Sequence, residues 1–150
     1  LIGFHFLAFP TTADRCAKRE AQSLVIRGVI EKHAKEFPND EIIAIGDYND
    51  YSDLFLDTAG NKPTSRVLKF IRESVTPELY NVGLTQQSGG LETYSAWYDI
   101  NRNCIDDAGE EHTMIDHILI SSGLRNALTQ VKYDHMFVAS CESLASDHWP

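Results

Sequence analysis

Ile42-Ile43-Ala44-Ile45-Gly46-Asp47-Tyr48-Asn49-Asp50 is the stretch that decides how the fold is interpreted. It begins as a short apolar run, which is typical of a buried strand, and it ends abruptly in polar residues. Such an ending would hold the Asp47 carboxylate and the Asn49 carboxamide at the rim of a rigid strand. Glycine, asparagine and aspartate are also the usual residues of a structural turn, so this stretch alone leaves both interpretations open.

The segments around this strand predict an α/β fold. Residues 1–7 are apolar and aromatic and indicate a first strand, and residues 41–45 indicate a second one. Between them a helix is predicted from about residue 15 to 37, with Asp14 as its cap and with Leu24 and Val25 on the face toward the sheet. The later predicted elements are a helix at 65–74 and strands at 92–98, 114–121 and 132–139.

Composition limits the classes of protein that need to be considered. The chain has 150 residues, a net charge of −9 and a pI of about 5.0. This balance argues against a protein that coats nucleic acid through many lysine and arginine contacts. No apolar stretch approaches the roughly 20 residues of a membrane helix. Three scattered cysteines indicate neither a disulfide framework nor a zinc site, and they leave the cellular compartment open.

Two further motifs carry residue types suited to phosphate chemistry. Ser146-Asp147-His148 places a carboxylate beside an imidazole, although a histidine in such a position is often only a surface residue. Asp116 begins the apolar segment 116–120, and burying a carboxylate there costs several kcal/mol unless it is paired. We therefore expect Asp116 to orient His148. Alternation along the strand should point His117 to the opposite face, as a surface or internally satisfied histidine.

Other candidate residues have equally ordinary interpretations. His5 lies in a strand between two phenylalanines, where a polar ring needs a partner, and it could be a functional residue or a satisfied core histidine. Tyr94, Trp97 and Tyr98 could stack on a base or a sugar, or simply fill a face of the sheet. The acidic loop at 101–112 is interpreted as a solvated loop rather than a calcium site.

The order of these motifs resembles a known superfamily. A strand with histidine, an arginine-containing helix, Gly-Asp-x-Asn, Ile-Asp-His-Ile-Leu-Ile-Ser and Ser-Asp-His follow one another from His5 to His148. This order is similar to the C-terminal half of the endonuclease/exonuclease/phosphatase superfamily, the deoxyribonuclease-I-like fold. The resemblance implies that residues 1–150 form the C-terminal portion of one such domain, within a four-layer sandwich of two mixed β-sheets flanked by helices. It also implies that the N-terminal half is absent, together with the asparagine and metal-binding glutamate of the family.

The resemblance assigns roles to individual residues. It implies a divalent cation, Mg²⁺ or Mn²⁺, and a structural ion pair for Arg19. It implies phosphate contact for His5, positioning of water and phosphate for Asp47 and Asn49, orientation of His148 by Asp116, and charge stabilisation or base action for His148. The implied metal ligands are Asp47, Asn49 and Asp147.

These roles predict a metal-dependent phosphoesterase that hydrolyses phosphodiester bonds, with a nuclease as the favoured type. The alternatives are a lipid or inositol-phosphate phosphohydrolase similar to sphingomyelinases, and a catalytically silent binding scaffold of the same fold. The expected partner is a nucleic acid or another phosphodiester. The choice between DNA and RNA, endo or exo cleavage, the number of metals and the oligomeric state stay open.

Overall fold

The computed structural model describes residues 1–105, 107, 112–135 and 146–148 of the chain. Its strands are β1 (Ile2–His5), β2 (Ile43–Asp47), β3 (Tyr80–Asn81), β4 (Ala96–Trp97), β5 (His112–Thr113) and β6 (Asp116–Ile120). Its helices are α1 (Ala13–Glu36), α2 (Val67–Arg72), α3 (Gly83–Ser88) and α4 (Ser122–Ala127). The architecture is therefore mixed α/β, as the sequence predicts.

The strands form one mixed sheet of four and one ribbon of two. The larger sheet has the order β1-β2-β6-β3, and β4 pairs with β5. Strands β1 and β2 are parallel and are joined through α1, which confirms the predicted strand–helix–strand opening. Strand β6 runs antiparallel to β2 and brings a distant part of the chain to the centre of the sheet.

The main core lies between the larger sheet and helices α1 and α2. Tyr48, which follows β2 directly, is fully buried there against the rings of Phe4 and Phe6. The buried members of this cluster are Phe6, Ile30, Ile42, Ala44, Tyr48, Val67, Leu68, Ile71, Leu79 and Leu119. This packing fixes the end of β2, where the polar turn begins.

Helix α1 differs from its prediction in two respects. It begins at Ala13, with Thr12 rather than Asp14 at the cap position. Leu24 and Val25 are exposed, and the buried positions are Arg19, Ser23 and Ile30. The predicted inner face of the helix was therefore wrong, because the buried positions include Arg19 and Ser23, two polar side chains that form hydrogen bonds within the fold.

Arg19 is structural, but not through the predicted ion pair. Its guanidinium is fully buried and donates hydrogen bonds to the carbonyls of Phe9 at 3.1 Å and Pro10 at 2.8 Å. It also donates to the Thr64 hydroxyl at 3.2 Å. Within the described part of the chain it forms no ion pair, so carbonyl oxygens take the role expected of a carboxylate.

The later strands are shorter than predicted. The segment predicted as a strand at 92–98 is a strand only at Ala96–Trp97, and the one at 114–121 only at Asp116–Ile120. Of the strand predicted at 132–139, residues 132–135 are irregular and 136–139 lie outside the described residues.

The structure also bears on the cysteines and on membrane-spanning segments. Cys104 is disulfide-bonded, Cys16 is a free thiol, and Cys141 lies outside the described residues. No helix in the described ranges is both long and apolar enough to cross a bilayer.

Candidate active site

The register of the larger sheet places three predicted site residues next to one another on adjacent strands. His5 pairs with Asp47 across β1 and β2, and Asp47 pairs with Asp116 across β2 and β6. Directly paired residues project from the same face of a sheet, so the three side chains lie side by side. His5 Nε2 is 3.2 Å from Asp47 Oδ2. Residues far apart in the chain thus meet at the edge where β2 ends.

Two hydrogen bonds within the Gly-Asp-x-Asn turn hold the Asp47 carboxylate. The backbone amide of Asn49 donates to Asp47 Oδ1 at 2.7 Å, and its side-chain Nδ2 donates to Asp47 Oδ2 at 2.6 Å. The same Nδ2 donates to the Phe6 carbonyl at 3.1 Å. Asn49 adopts a left-handed φ of 47°, which asparagine tolerates better than most residues. Both of its amide protons are engaged, so in this structure it positions Asp47 rather than offering these protons to a phosphate.

Gly46 is required by close backbone contact. It has a φ of 155°, and a Cβ at this position would lie 1.9 Å from the Phe4 carbonyl oxygen. Any other residue would push β1 and β2 apart just before Asp47. The glycine of the motif therefore allows β1 and β2 to lie close together.

Asp116 links β6 to the end of the described chain. Its Oδ2 atom lies 2.7 Å from Nδ1 of His148. The backbone around His148 is attached to β4, because Ala96 forms an antiparallel bridge with His148 and the Trp97 amide donates to the Asp147 carbonyl at 2.8 Å. The expected pairing of Asp116 with His148 is present.

Ser95 is a site residue that the sequence did not indicate. Its hydroxyl is buried and donates to Asp116 Oδ2 at 2.8 Å. The same hydroxyl oxygen accepts the backbone amides of Ile115 at 3.2 Å and Asp116 at 2.9 Å. Ser95 therefore fixes the Asp116 carboxylate that holds His148. The serine lies in an aromatic segment, and no spacing or motif pointed to it.

The candidate metal ligands form a cluster that differs in part from the predicted set. Ligand atoms of Asp47, Asp116 and His148 all lie within 4.8 Å of one another. Asp147 is adjacent rather than central: its Oδ1 atom is 4.0 Å from His148 Nε2, and 65% of its side chain is exposed. Asn49 and Asp147 line the same cleft as His148.

The local charges shift two of the acid–base groups. Burial raises the pKa of the Asp47 carboxyl, the neighbouring Asp116 charge raises it further, and the hydrogen bond from Asn49 opposes both. The hydrogen bond with Asp116 raises the pKa of His148 to about 9. At neutral pH His148 is thus a cation facing two carboxylates, while its Nε2 remains directed away from Asp116.

A cleft of about 530 Å³ opens over these residues. Its polar end carries His5, Asp47, Asn49, Asp147 and His148. Its apolar lining, which we call its apolar end, comes from Ala8, Phe9 and Pro10 between β1 and α1 and from Tyr98 and Ile100 after β4. A volume of this size is typical of a small-molecule or single-residue binding site.

His117 has the internal role expected from strand alternation. It is buried on the face opposite Asp116, where Nε2 lies 3.1 Å from the Asp50 carbonyl and Nδ1 lies 3.2 Å from Asn81 Nδ2. Of the three aromatic candidates, Tyr94 and Trp97 are buried and Tyr98 is exposed.

Residues 101–105 and 107 of the acidic loop are solvent-exposed, whereas His112, at its end in β5, is buried. When asparagines are counted together with aspartates, the side-chain oxygens in this region are regularly spaced. They belong to Asp99, Asn101, Asn103 and Asp107, which stand two, two and four positions apart. In this structure these oxygens accept hydrogen bonds from within the loop, including the Cys104 amide to Asp99 Oδ2 at 3.0 Å.

No protein-family model matches the chain, and no curated protein matches it.

Proposed function

We propose that this chain belongs to a divalent-metal-dependent phosphoesterase of the endonuclease/exonuclease/phosphatase superfamily that hydrolyses phosphodiester bonds. The observation that carries the proposal is the convergence of His5, Asp47, Asp116 and His148 from three strands and the end of the described chain. Two imidazoles and two carboxylates lie close together at this edge of the sheet. Such groups can stabilise the charge of a transition state, orient a water molecule and transfer a proton.

The donor set at this edge fits a hard divalent cation. Asp47 and Asp116 offer carboxylate oxygens within the observed cluster, and Asn49 and Asp147 add side-chain oxygens that line the same cleft. Mg²⁺ and Mn²⁺ prefer such oxygens over nitrogen or sulfur. Asp47 and Asp116 are also neighbouring carboxylates that repel each other, and a cation would relieve this repulsion. When bound, the metal would supply neutralisation of the negative charge that develops on the phosphate and the leaving oxygen.

Asp47, His5 and His148 have separate roles in the proposed reaction. Asp47, held by Asn49, is placed to orient an attacking water toward phosphorus. His5 lies at the outer side of Asp47, where it can contact a non-bridging phosphate oxygen. His148 is protonated when paired with Asp116, so its free Nε2–H suits stabilisation of the negatively charged transition state better than action as a base.

We also propose that the four-stranded sheet is one layer of a four-layer sandwich. Helices α1 and α2 cover one face of this sheet. On the opposite face, Ile45 is exposed, and Ile43 and Ile118 are only partly buried. Aliphatic side chains on an uncovered sheet face favour packing against a second sheet. The site residues Asp47 and Asp116 project from this same face.

A substrate panel tests the proposed activity. The full-length protein is assayed on plasmid DNA, RNA, sphingomyelin and phosphoinositides, with Mg²⁺ and with EDTA. We expect Mg²⁺-dependent cleavage of a nucleic acid, because the apolar end of the cleft can hold a base. Cleavage restricted to a lipid or inositol phosphate would replace nuclease by the alternative phosphohydrolase. Normal metal binding with no turnover of any substrate would refute the enzymatic proposal and favour a silent scaffold.

A further inference from the structure

Two exposed aromatic rings border the apolar end of the cleft. Phe9 follows β1 and is 55% exposed, and Tyr98 follows β4 and is 58% exposed. Both line the cleft that contains His5, Asp47 and His148. Large aromatic side chains usually bury most of their surface, so two exposed rings at one cleft indicate a surface that a ligand covers.

Phe9 is held in position rather than left free. Its backbone has a left-handed φ of 66°, which a phenylalanine rarely adopts without support. The support comes from hydrogen bonds to its carbonyl, donated by the Thr12 amide at 3.1 Å and by the buried Arg19 guanidinium at 3.1 Å. The Arg15 guanidinium lies 4.6 Å from the centre of the ring. An exposed ring fixed in this way loses little freedom when a ligand stacks on it.

We propose that Phe9 and Tyr98 form a stacking platform for the bases of a single-stranded nucleic acid. The proposal rests on the function proposed above, which places the adjacent phosphodiester at the polar end of the same cleft. Stacking on aromatic rings is tolerant of sequence, because every base has a planar face. The platform therefore selects strands whose bases are unpaired, without selecting a particular base.

The chemistry of the cleft favours a base over the other groups that a phosphodiester can carry. An inositol ring is puckered and covered with hydroxyl groups, so it gains less from two aromatic rings than a planar base does. An anionic lipid surface is disfavoured because a chain of net charge −9 is repelled by anionic headgroups, and zwitterionic lipids are tested directly. The same charge disfavours a long duplex, which is bound through many phosphates. The Arg15 guanidinium, 4.6 Å from the centre of the Phe9 ring, supplies one positive charge close to the cleft, which suits a short strand.

A binding assay without metal separates this inference from the proposed hydrolysis. The full-length protein is titrated, in EDTA and at one fixed salt concentration, into a fluorescently labelled oligothymidylate. A second oligonucleotide of equal length carries abasic residues and retains every phosphate. Fluorescence anisotropy then reports the contribution of the bases alone, and EDTA prevents cleavage.

Phe9→Ala and Tyr98→Ala should each weaken oligothymidylate binding about 5- to 150-fold, the range expected for loss of one stacked base. Tyr98→Phe and Phe9→Tyr retain the rings and should bind like the natural protein. Phe37→Ala, which removes an exposed phenylalanine outside this cleft, is the matched control and should bind normally. The abasic strand should bind weakly to the natural protein and should not respond to any of these substitutions.

The possible outcomes test the stacking platform and the proposed hydrolysis separately. Equal affinity for the two oligonucleotides, or no effect of the alanine variants, would overturn the platform even if the protein hydrolyses DNA. Binding of phosphatidylcholine–sphingomyelin vesicles that depends on Phe9, without binding of oligothymidylate, would also overturn it in favour of a lipid. Base-dependent binding together with no turnover of any substrate would support the platform and refute the proposed hydrolysis.

Discussion

At the residue scale, the site depends on side chains that hold other side chains. Asp116 sets the orientation and the charge of His148, and Ser95 fixes Asp116. Asn49 does the same for Asp47 with its backbone amide and its carboxamide. Such supporting hydrogen bonds decide the protonation state and the direction of the groups that face the cleft.

The charge of His148 can be measured directly. Its pKa is raised to about 9 by the hydrogen bond with Asp116, compared with 6.5 for an ordinary histidine. In Asp116→Asn the pKa should fall toward 6.5, because the carboxylate that favours the cation is gone. A raised folded-state pKa stabilises the fold below pH 6.5, and this contribution is lost as pH rises through about 9. NMR titration of the imidazole in EDTA measures both values. Equal pKa values in the two proteins would show that Asp116 does not hold His148.

Ser95 should matter for activity although it does not face the cleft. Ser95→Ala should lower kcat about 10- to 100-fold, which is the usual effect of removing a supporting partner. The same change should move the pKa of His148, a readout that a purely structural serine would leave unaltered. Ser23→Ala is the matched control, because Ser23 is equally buried but lies in α1, where its hydroxyl donates to the Glu20 carbonyl. If both serine variants behave alike in rate and titration, Ser95 is not a positioning residue.

At the scale of elements, the close approach of β1 and β2 aligns His5 with Asp47. This approach depends on Gly46, whose hydrogen faces the Phe4 carbonyl. Helix α1 bridges the two strands, and its buried Arg19 ties down the loop that follows β1. The geometry of the site is thus a property of this strand–helix–strand unit.

Gly46→Ala should be strongly destabilising, by at least about 2 kcal/mol, because the new methyl group meets backbone rather than a flexible side chain. Gly28→Ala in α1 is the matched control. Nothing lies within 4 Å of the added carbon there, so this change should stabilise the helix by about 0.5–1 kcal/mol. Urea denaturation of both variants provides the comparison. Equal stability of Gly46→Ala and the natural protein would contradict the close contact.

The sequence predicted elements better than it predicted their environments. The apolar run before Gly46 and the alternation around Asp116 were sufficient to place two strands and to separate Asp116 from His117. The inner face of α1 was missed because a buried polar residue is recognised only when its partners are known, and those of Arg19 lie in other segments. Ser95 was missed for the same reason. Its importance comes from a contact 21 positions away in sequence.

At the scale of the whole molecule, the two faces of the larger sheet have different roles. One face packs on α1 and α2 and contains the neutral, buried His117. The other face bears Asp47 and Asp116 beside aliphatic side chains that are incompletely covered. Strand alternation therefore places the buried core and the proposed catalytic residues on opposite faces of the sheet, so stability and the proposed activity can be tested independently.

The buried face predicts sensitivity to acid. Burial lowers the pKa of His117 below its ordinary value of 6.5, so the unfolded chain binds a proton that the folded chain excludes. Stability should therefore fall as pH drops below 6.5, by at most about 1.4 kcal/mol per pH unit from this group. His117→Gln removes the titration, and its urea-derived stability should change less between pH 7.5 and pH 5. Parallel curves for the two proteins would exclude His117 as the cause.

The central claim concerns the opposite face of the sheet. We propose that His5, Asp47, Asp116 and His148 form a centre for phosphodiester hydrolysis there. The most direct test is the turnover of His148→Ala on the substrate found to be cleaved, measured with saturating Mg²⁺. Its matched control is His33→Ala, which removes a half-buried histidine of α1 outside the cleft. We predict that His148→Ala lowers kcat at least about 100-fold, with its thermal unfolding near that of the natural protein, and that His33→Ala remains fully active. A His148→Ala protein that retains activity within a few fold of the natural protein would contradict the account.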